Sequence, residues 1–320
     1  MTKFRTEVHP SLDVPKVAYS SKIFSMGSCF SEEVGRHLIR NKFDCMNNPF
    51  GTIFNPLSIE KLLKISLEDH PLTADHYVER DDVWYHLDFH SSIFGFTKEE
   101  LEEKIKRAAG KVKEHFLASD FLFITLGTSF GFRYQKSGEV VANCHKQKSS
   151  DFHKELLEPD QIIDSIKWVQ SIAQDKTTVF TVSPVRHIKE TLEQNSTSKS
   201  ILKFAVHKRV TAEEKSHYFP AYEIMMDDLR DYRFYSDDLI HPSAMAVDYI
   251  WSKFKSSIFD EKTLATMKRW EGVLKAIEHR PFNSKTEAHQ KFIRSNLLKL
   301  ESFPFSIEKE RGILEAQLNS

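Results

Sequence analysis

The chain has 320 residues, 40% of them hydrophobic, with 25 Phe and a formal net charge of −1. That length accommodates one large α/β domain or two smaller ones, and the near-neutral charge provides no basic field to draw in nucleic acid or anionic lipid. No apolar run approaches the roughly 20 residues that a membrane helix needs, and three cysteines (Cys29, Cys45, Cys144) without a CxxC pair argue against a disulfide framework or a cysteine zinc site.

The first ten residues carry no apolar stretch fit for a signal peptide, so a cytoplasmic location is the expectation. Residues 22–26 read as a first strand. After Ser28, the residues Phe30, Val34, Leu38 and Ile39 share one helical face, and Glu32 and Glu33 fall in the first turn, where they suit the helix dipole. Residues 43–46 form a second short strand before the turn-rich Asn47-Asn48-Pro49-Phe50-Gly51, and 57–67 are helical. Residues 74–96 hold Trp84, Tyr85, His86, Phe89, His90, Phe94 and Phe96, an irregular aromatic and His-rich insertion or small hairpin. Thr97 and Glu100 make a capping box for a helix running to 116. The continuous apolar run 121–126, ending at Gly127-Thr128, reads as a buried central strand. A hairpin over 132–141 leads into Asn143-Cys144-His145; then come a helix over 159–173, a buried strand over 177–182 ending at Ser183-Pro184, a helix over 198–210, and a last strand, or strand and turn, over 218–226. Another helix starts at Pro242 or Ser243. From about 260 the character changes: 264–277, 285–300 and 307–318 are charged amphipathic helices with no strand between them. The expected organisation is a domain over 1–258, carrying 74–96 as an insertion, and a helical extension over 259–320 that packs on the core or on a second copy, making a homo-oligomer.

Strands alternating with helices imply a parallel sheet with helices on both faces, and in such sheets sites gather at the C-terminal strand ends. Ser28, Gly51, Gly127-Thr128 and Ser183-Pro184 all follow predicted strands. Ser28 reads as a nucleophile on a sharp strand-to-helix turn, with helix-start N–H groups facing an oxyanion, or as a plain N-cap. A serine nucleophile needs a base, and the base needs an orienting partner. Of the 15 His, only His241 has an Asp three residues earlier, and Pro242 pushes it out of helical geometry, so Asp238 and His241 share a loop before a helix. Gly51 offers its N–H to an oxyanion or simply closes a turn, and Asn143 offers a side-chain N–H or sits in a turn. Arg186 and His187 follow a strand end, where an Arg binds a substrate carboxylate or phosphate or is a solvated charge. Cys29 and Cys144 read as small buried residues. No histidines stand in HExxH or HxH spacing, so neither a metal nor another cofactor is expected.

A strand followed by Gly27-Ser28-Cys29-Phe30 resembles the signature for which the GSCFA family is named, a family similar to the SGNH (GDSL-like) hydrolases. Asn48-Pro49-Phe50-Gly51-Thr52, Leu126-Gly127-Thr128-Ser129, Asn143-Cys144-His145-Lys146, Ser183-Pro184-Val185-Arg186-His187, Phe219-Pro220-Ala221-Tyr222-Glu223 and Asp238-Leu239-Ile240-His241-Pro242 resemble the same family. Each segment is weak alone; together, in this order over residues 20–255, they are specific. The resemblance implies a three-layer α/β/α fold with a flavodoxin-like parallel sheet, Ser28 as nucleophile, His241 as base and Asp238 as its orienter. The SGNH oxyanion hole uses the nucleophile's own N–H, a glycine N–H and an asparagine side chain. Gly51 fits the glycine role. The usual Gly-x-Asn-Asp block falls on Gly127-Thr128-Ser129-Phe130, which has no asparagine, so Asn143 or Thr128 supplies the donor or the hole is weaker. The Gly-Asp-Ser-Leu form of the first block is also replaced, by Gly-Ser-Cys-Phe. His145, Arg186 and His187 complete the expected substrate-binding set.

The function this implies is a serine esterase acting through an acyl-enzyme on an O-acyl or O-acetyl group of a carbohydrate or small metabolite, with no nucleic-acid or membrane partner. An acyltransferase runs the same chemistry with an alcohol in place of water. The 74–96 insertion is expected to wall the pocket. The missing asparagine keeps open a non-catalytic carbohydrate-binding or interaction protein on the same fold.

Overall fold

A computed structural model describes residues 5–189, 191–279 and 286–318. Its elements, in chain order, are β1 (Lys22–Gly27), α1 (Cys29–Arg40), β2 (Asp44–Asn47), α2 (Pro56–Leu67), β3 (Tyr77–Arg80), β4 (Val83–His86), α3 (Lys98–Ala118), β5 (Phe121–Leu126), β6 (Phe130–Tyr134), β7 (Val140–Val141), β8 (Phe152–Leu156), α4 (Pro159–Ile172), β9 (Thr177–Val182), α5 (Leu192–Val210), β10 (Ser216–Phe219), the short α6 (Ala221–Glu223), α7 (Ala244–Ile258), α8 (Glu261–Glu278), α9 (Glu287–Leu300) and α10 (Glu308–Leu318). Five strands form one parallel sheet in the order β10-β9-β5-β1-β2. Counting only these five along the chain, the order is the flavodoxin-like 2-1-3-4-5.

The apolar runs are continuous because both faces of the sheet are covered, and the period of two sorts them between two cores. Phe24, Met26, Leu122, Ile124, Leu126, Phe180 and Val182 face α2, α3, α4 and α5. Ile23, Phe121, Phe123, Val179 and Phe219 face α1 and α7. The result is the three-layer α/β/α sandwich that the sequence implies. A third, smaller core lies in the C-terminal helices, where Trp270, Val273, Ile293, Leu300 and Leu314 pack together. This unit meets the sheet domain through the Trp270 indole, which donates to Arg40 O at 2.9 Å, and through the ion pairs Lys42–Glu310 and Arg40–Glu278.

Several elements differ from the sequence expectations. The helix expected over 198–210 starts at Leu192, because Thr191 caps it by accepting from the Gln194 N–H at 3.2 Å. The last strand stops at Phe219, since Pro220 brings no N–H to the ladder, and the chain continues into α6 and a π-helical turn over Ile224–Leu229. The 132–141 hairpin is two strands of a three-stranded antiparallel sheet, β7-β6-β8. Residue 285, the expected start of a C-terminal helix, lies outside the described residues. Among the described residues no helix is long and apolar enough to cross a membrane.

Candidate active site

The C-terminal edge of the sheet begins at Gly27. Its φ of +147° and the 2.1 Å approach that a Cβ would make to Thr125 O restrict the position to glycine. Asn48 Oδ1 accepts from the Gly27 N–H at 2.8 Å and binds the turn after β2 to the end of β1. Ser28 then continues the sheet, donating its N–H to Thr125 O at 3.0 Å, and caps α1 by accepting from the Phe30 N–H at 3.3 Å. Cys29 is the first residue of α1.

Downstream, the chain turns sharply before α7, with Leu239 in a left-handed conformation (φ +57°). Asp238 builds this turn and orients the imidazole. Its Oδ1 accepts from the Ile240 and His241 N–H groups at 2.9 and 3.0 Å, and its Oδ2 lies 2.7 Å from His241 Nδ1. A carboxylate only accepts, so Nδ1 carries the proton and Nε2 keeps its lone pair. The backbone hydrogen bond from His241, then its ring N–H, then the Ile240 N–H hold the Asp238 carboxyl at about 2, so it is ionised at neutral pH. Arg186 ties the loop to the end of β9 by donating its N–H to Ile240 O at 3.1 Å.

His241 lines a cleft of about 450 Å³ with Cys29, Phe54, Asn55, Thr128, Phe130, Phe132, Arg186 and His187. The Arg186 guanidinium stacks 3.8 Å above the Tyr235 ring. His187 is kept neutral, its pKa pushed down to about 3 by burial and then by the Lys199 charge, and its Nε2 is buried without a hydrogen-bond partner among the described residues. Beneath the cleft the buried Lys199 ammonium donates to Gly127 O and Ser183 O at 2.6 and 2.8 Å, joining the ends of β5 and β9.

Of the expected residues, His241, Thr128, Arg186 and His187 meet in this cleft, with Asp238 behind His241. Others do not. Ser28 is 1% exposed and does not line the cleft, and no hydrogen bond joins it to His241 among the described residues. The Gly51 N–H is spent on Asn48 O at 2.8 Å, so it is a turn glycine rather than an oxyanion donor. Thr128 gives its N–H to Phe54 O, and its Oγ1 is engaged with Ser198 Oγ and the Phe130 N–H. Asn143 accepts from the His145 N–H in a local turn, and His145 stacks on Tyr85 and hydrogen-bonds His86 O; both serve the insertion, not the cleft. No residue of 74–96 lines the cleft, whose aromatic wall is Phe54, Phe130 and Phe132. Sequence reading missed two members. Asn55 is 5% exposed; its Oδ1 caps α2 by accepting from the Ser58 N–H, while its Nδ2 has no partner among the described residues. Cys29 is half-buried in the cleft rather than a plain core residue. The Asn-Pro pair at 55–56 signals a helix start, and that signal hid the amide's free half.

A second cluster lies in the insertion, where ligating atoms of His76, His86 and Asp88 stand within 4.8 Å of one another. The Lys61 ammonium, 2.8 Å from Asp88 Oδ2, already supplies the cation there.

No curated protein matches the chain. Among solved structures it is similar to a Clostridium thermocellum family 3 carbohydrate esterase at 11% identity and a TM-score of 0.37, over 78% of this chain and 98% of that one. The model of the GSCFA domain protein, C-terminal domain, matches residues 270–320, and that of the GSCFA family matches residues 22–254, a span holding the whole sheet and both sides of the cleft. The chain belongs to the GSCFA family.

Proposed function

We propose that the chain is an acyl hydrolase of the SGNH type that cleaves a small ester in the cleft between the start of α1 and the 238–241 loop. The observation that carries this reading is the Asp238–His241 pair, an imidazole oriented by an ionised carboxylate, lining a cleft and leaving Nε2 without a partner among the described residues. His241 takes the proton of a nucleophile at the β1–α1 junction and returns it to the leaving alcohol. Two donors with no acceptor in another residue among the described ones, the Cys29 N–H at the helix start and Asn55 Nδ2, stabilise the oxyanion. Asn55 thus takes the part of the asparagine missing after Gly127. The phenylalanine walls suit an acyl chain or the apolar face of a sugar, and Arg186 suits a carboxylate or phosphate on the same substrate.

Hydrolysis of phenyl acetate and longer phenyl esters by wild type and His241→Ala tests this reading. His241-dependent turnover is the expected result, and equal rates for the two proteins would remove the proposal.

A further inference from the structure

We propose that Cys29, not Ser28, is the nucleophile, so that the acyl intermediate is a thioester. The inference rests on the hydrolase reading and specifies its chemistry.

Four observations carry it. First, the Ser28 hydroxyl is 1% exposed, caps α1 and lies off the cleft, whereas Cys29 lines the cleft with His241. Second, a nucleophile of this class shares its own N–H with the oxyanion. The Ser28 N–H is already given to Thr125 O, while that of Cys29, in the first position of a 12-residue helix, meets only its own Sγ and has no acceptor in another described residue. Third, Asn55, nineteen-twentieths buried, adds an unpartnered amide N–H to the same cleft. Fourth, Gly-Asp-Ser-Leu laid on Gly27-Ser28-Cys29-Phe30 puts Cys29 at the serine and Ser28 at the aspartate.

Burial holds the Cys29 thiol above its ordinary value; its own N–H works the other way, and Glu32 and Glu33 add to the rise. The resting group is therefore a thiol rather than half of a thiolate–imidazolium pair, and it needs the base at each turnover. His241 Nε2 takes the Sγ proton as Sγ attacks the ester carbonyl carbon. The C–O bond to the alcohol breaks, and the alcohol leaves with the proton from His241. Water then gives a proton to Nε2 as it attacks the thioester, the C–S bond breaks, and the thiolate recovers the proton while the carboxylic acid departs.

The test is acid quenching of wild type during turnover of 4-nitrophenyl acetate, followed by peptide mapping and treatment with neutral hydroxylamine. The expected result is an acetyl group on Cys29 that hydroxylamine removes, absent in Cys29→Ala and retained in Ser28→Ala. Iodoacetamide provides a second readout on folded protein. Alkylation of Cys29 slows about tenfold in His241→Ala, while Cys45 and Cys144, whose thiols burial pushes up to about 12 and about 11, stay unreactive in both proteins. An acetyl or fluorophosphonate adduct on Ser28 that survives Cys29→Ala, with turnover intact, overturns the assignment and leaves the hydrolase reading standing. Absence of any His241-dependent turnover removes both.

Discussion

Two His–Asp pairs are joined side chain to side chain by a hydrogen bond among the described residues, and their contrast shows what makes one of them chemically useful. His241 and Asp238 sit on an exposed loop, with side chains 45% accessible and one imidazole nitrogen open to a cleft. His76 and Asp88 are 0% and 2% accessible, and His76 has both nitrogens engaged, Nδ1 with Asp88 Oδ2 at 3.0 Å and Nε2 with Ser137 Oγ at 2.8 Å. Lys61 closes that cluster, bridging Asp88 and Glu139 at 2.8 and 2.6 Å. A histidine with both nitrogens engaged holds structure together, and one with a nitrogen spare can move a proton.

The comparison breaks if the two histidines respond alike to truncation. His241→Ala is expected to lower ester turnover by about a hundred- to ten-thousand-fold and to shift stability by no more than about 0.5 kcal/mol, as for an exposed side chain. His76→Ala is expected to do the reverse. It removes the hydrogen bond to Asp88 Oδ2 and leaves that buried carboxylate to Lys61 alone, at about 1–3 kcal/mol of unfolding free energy, with little effect on turnover by the remaining folded protein. Urea titrations beside initial rates for both variants decide the matter.

Asn55 sharpens the cleft side of the contrast. Asn55→Asp keeps an oxygen to accept from the Ser58 N–H, so α2 stays capped, and it replaces the free amide by a negative oxygen beside the oxyanion. The expected loss is about a hundred- to thousand-fold in kcat, with KM and the melting temperature close to wild type. A rise in KM alone would mean that the amide binds substrate without serving the transition state.

The sheet was legible because the runs 121–126 and 177–182 are too apolar for anything but strands covered on both faces, and both are fully buried. The Asp238–His241 pairing was legible because the two are three residues apart, and one carboxylate can both close that turn and hold the ring. The proposed nucleophile was not, because Ser28 and Cys29 are neighbours at a strand–helix junction. Which of them reaches the cleft depends on Gly27 adopting a φ of +147° and on Ser28 staying in register with Thr125, a pairing between segments about a hundred residues apart. Asn55 was hidden behind its capping role. The aromatics of 74–96 were misassigned because composition does not tell which way a side chain faces: His76, His86 and Phe89 point inward, and the cleft takes its phenylalanines from residues 54, 130 and 132.

Acid sharpens the buried side. Burial, opposed by the Asp88 charge, pushes His86 down to about 4, so the folded state keeps it neutral where the unfolded chain, near 6.5, binds a proton. Stability is then full above about pH 6.5 and falls as pH drops toward 4, by at most about 3 kcal/mol from this residue. For Asp88, burial works upward, but the His76 hydrogen bond and the Lys61 charge outweigh it and hold the carboxyl below its usual range, so its contribution is lost only at more acidic pH. His86→Gln, which does not titrate, should flatten the dependence of the urea midpoint on pH between 6.5 and 4 by about one proton. His187 in the cleft, pushed down to about 3, supplies a second slope that this variant retains. An unchanged slope in His86→Gln would show that the cluster does not carry the acid sensitivity.

The cations beside the two pairs make the smallest and most specific comparison. Lys61 is spent on two carboxylates; Arg186 has none within ion-pair distance among the described residues, and it lies over Tyr235 at 3.8 Å and Tyr232 at 5.2 Å with its plane already oriented. Among the described residues no acidic side chain lines the cleft to compete for it. A guanidinium held this way costs little further ordering when it meets a carboxylate or phosphate, and a charge-assisted hydrogen bond contributes about 1.5–3 kcal/mol. The matched esters phenyl acetate, 3-acetoxybenzoate and 3-acetoxyphenyl phosphate separate charge from acyl group, since all three release acetate. Arg186→Met should lower kcat/KM for the charged esters by about ten- to a hundredfold and leave phenyl acetate within about twofold of wild type. Arg186→Lys should recover only part of the loss, because an ammonium keeps the charge and gives up the stacked fork. Whichever charged ester loses more identifies the anion that the arginine reads, and equal losses on all three would mean that the guanidinium acts only through its packing on Tyr235 and Tyr232.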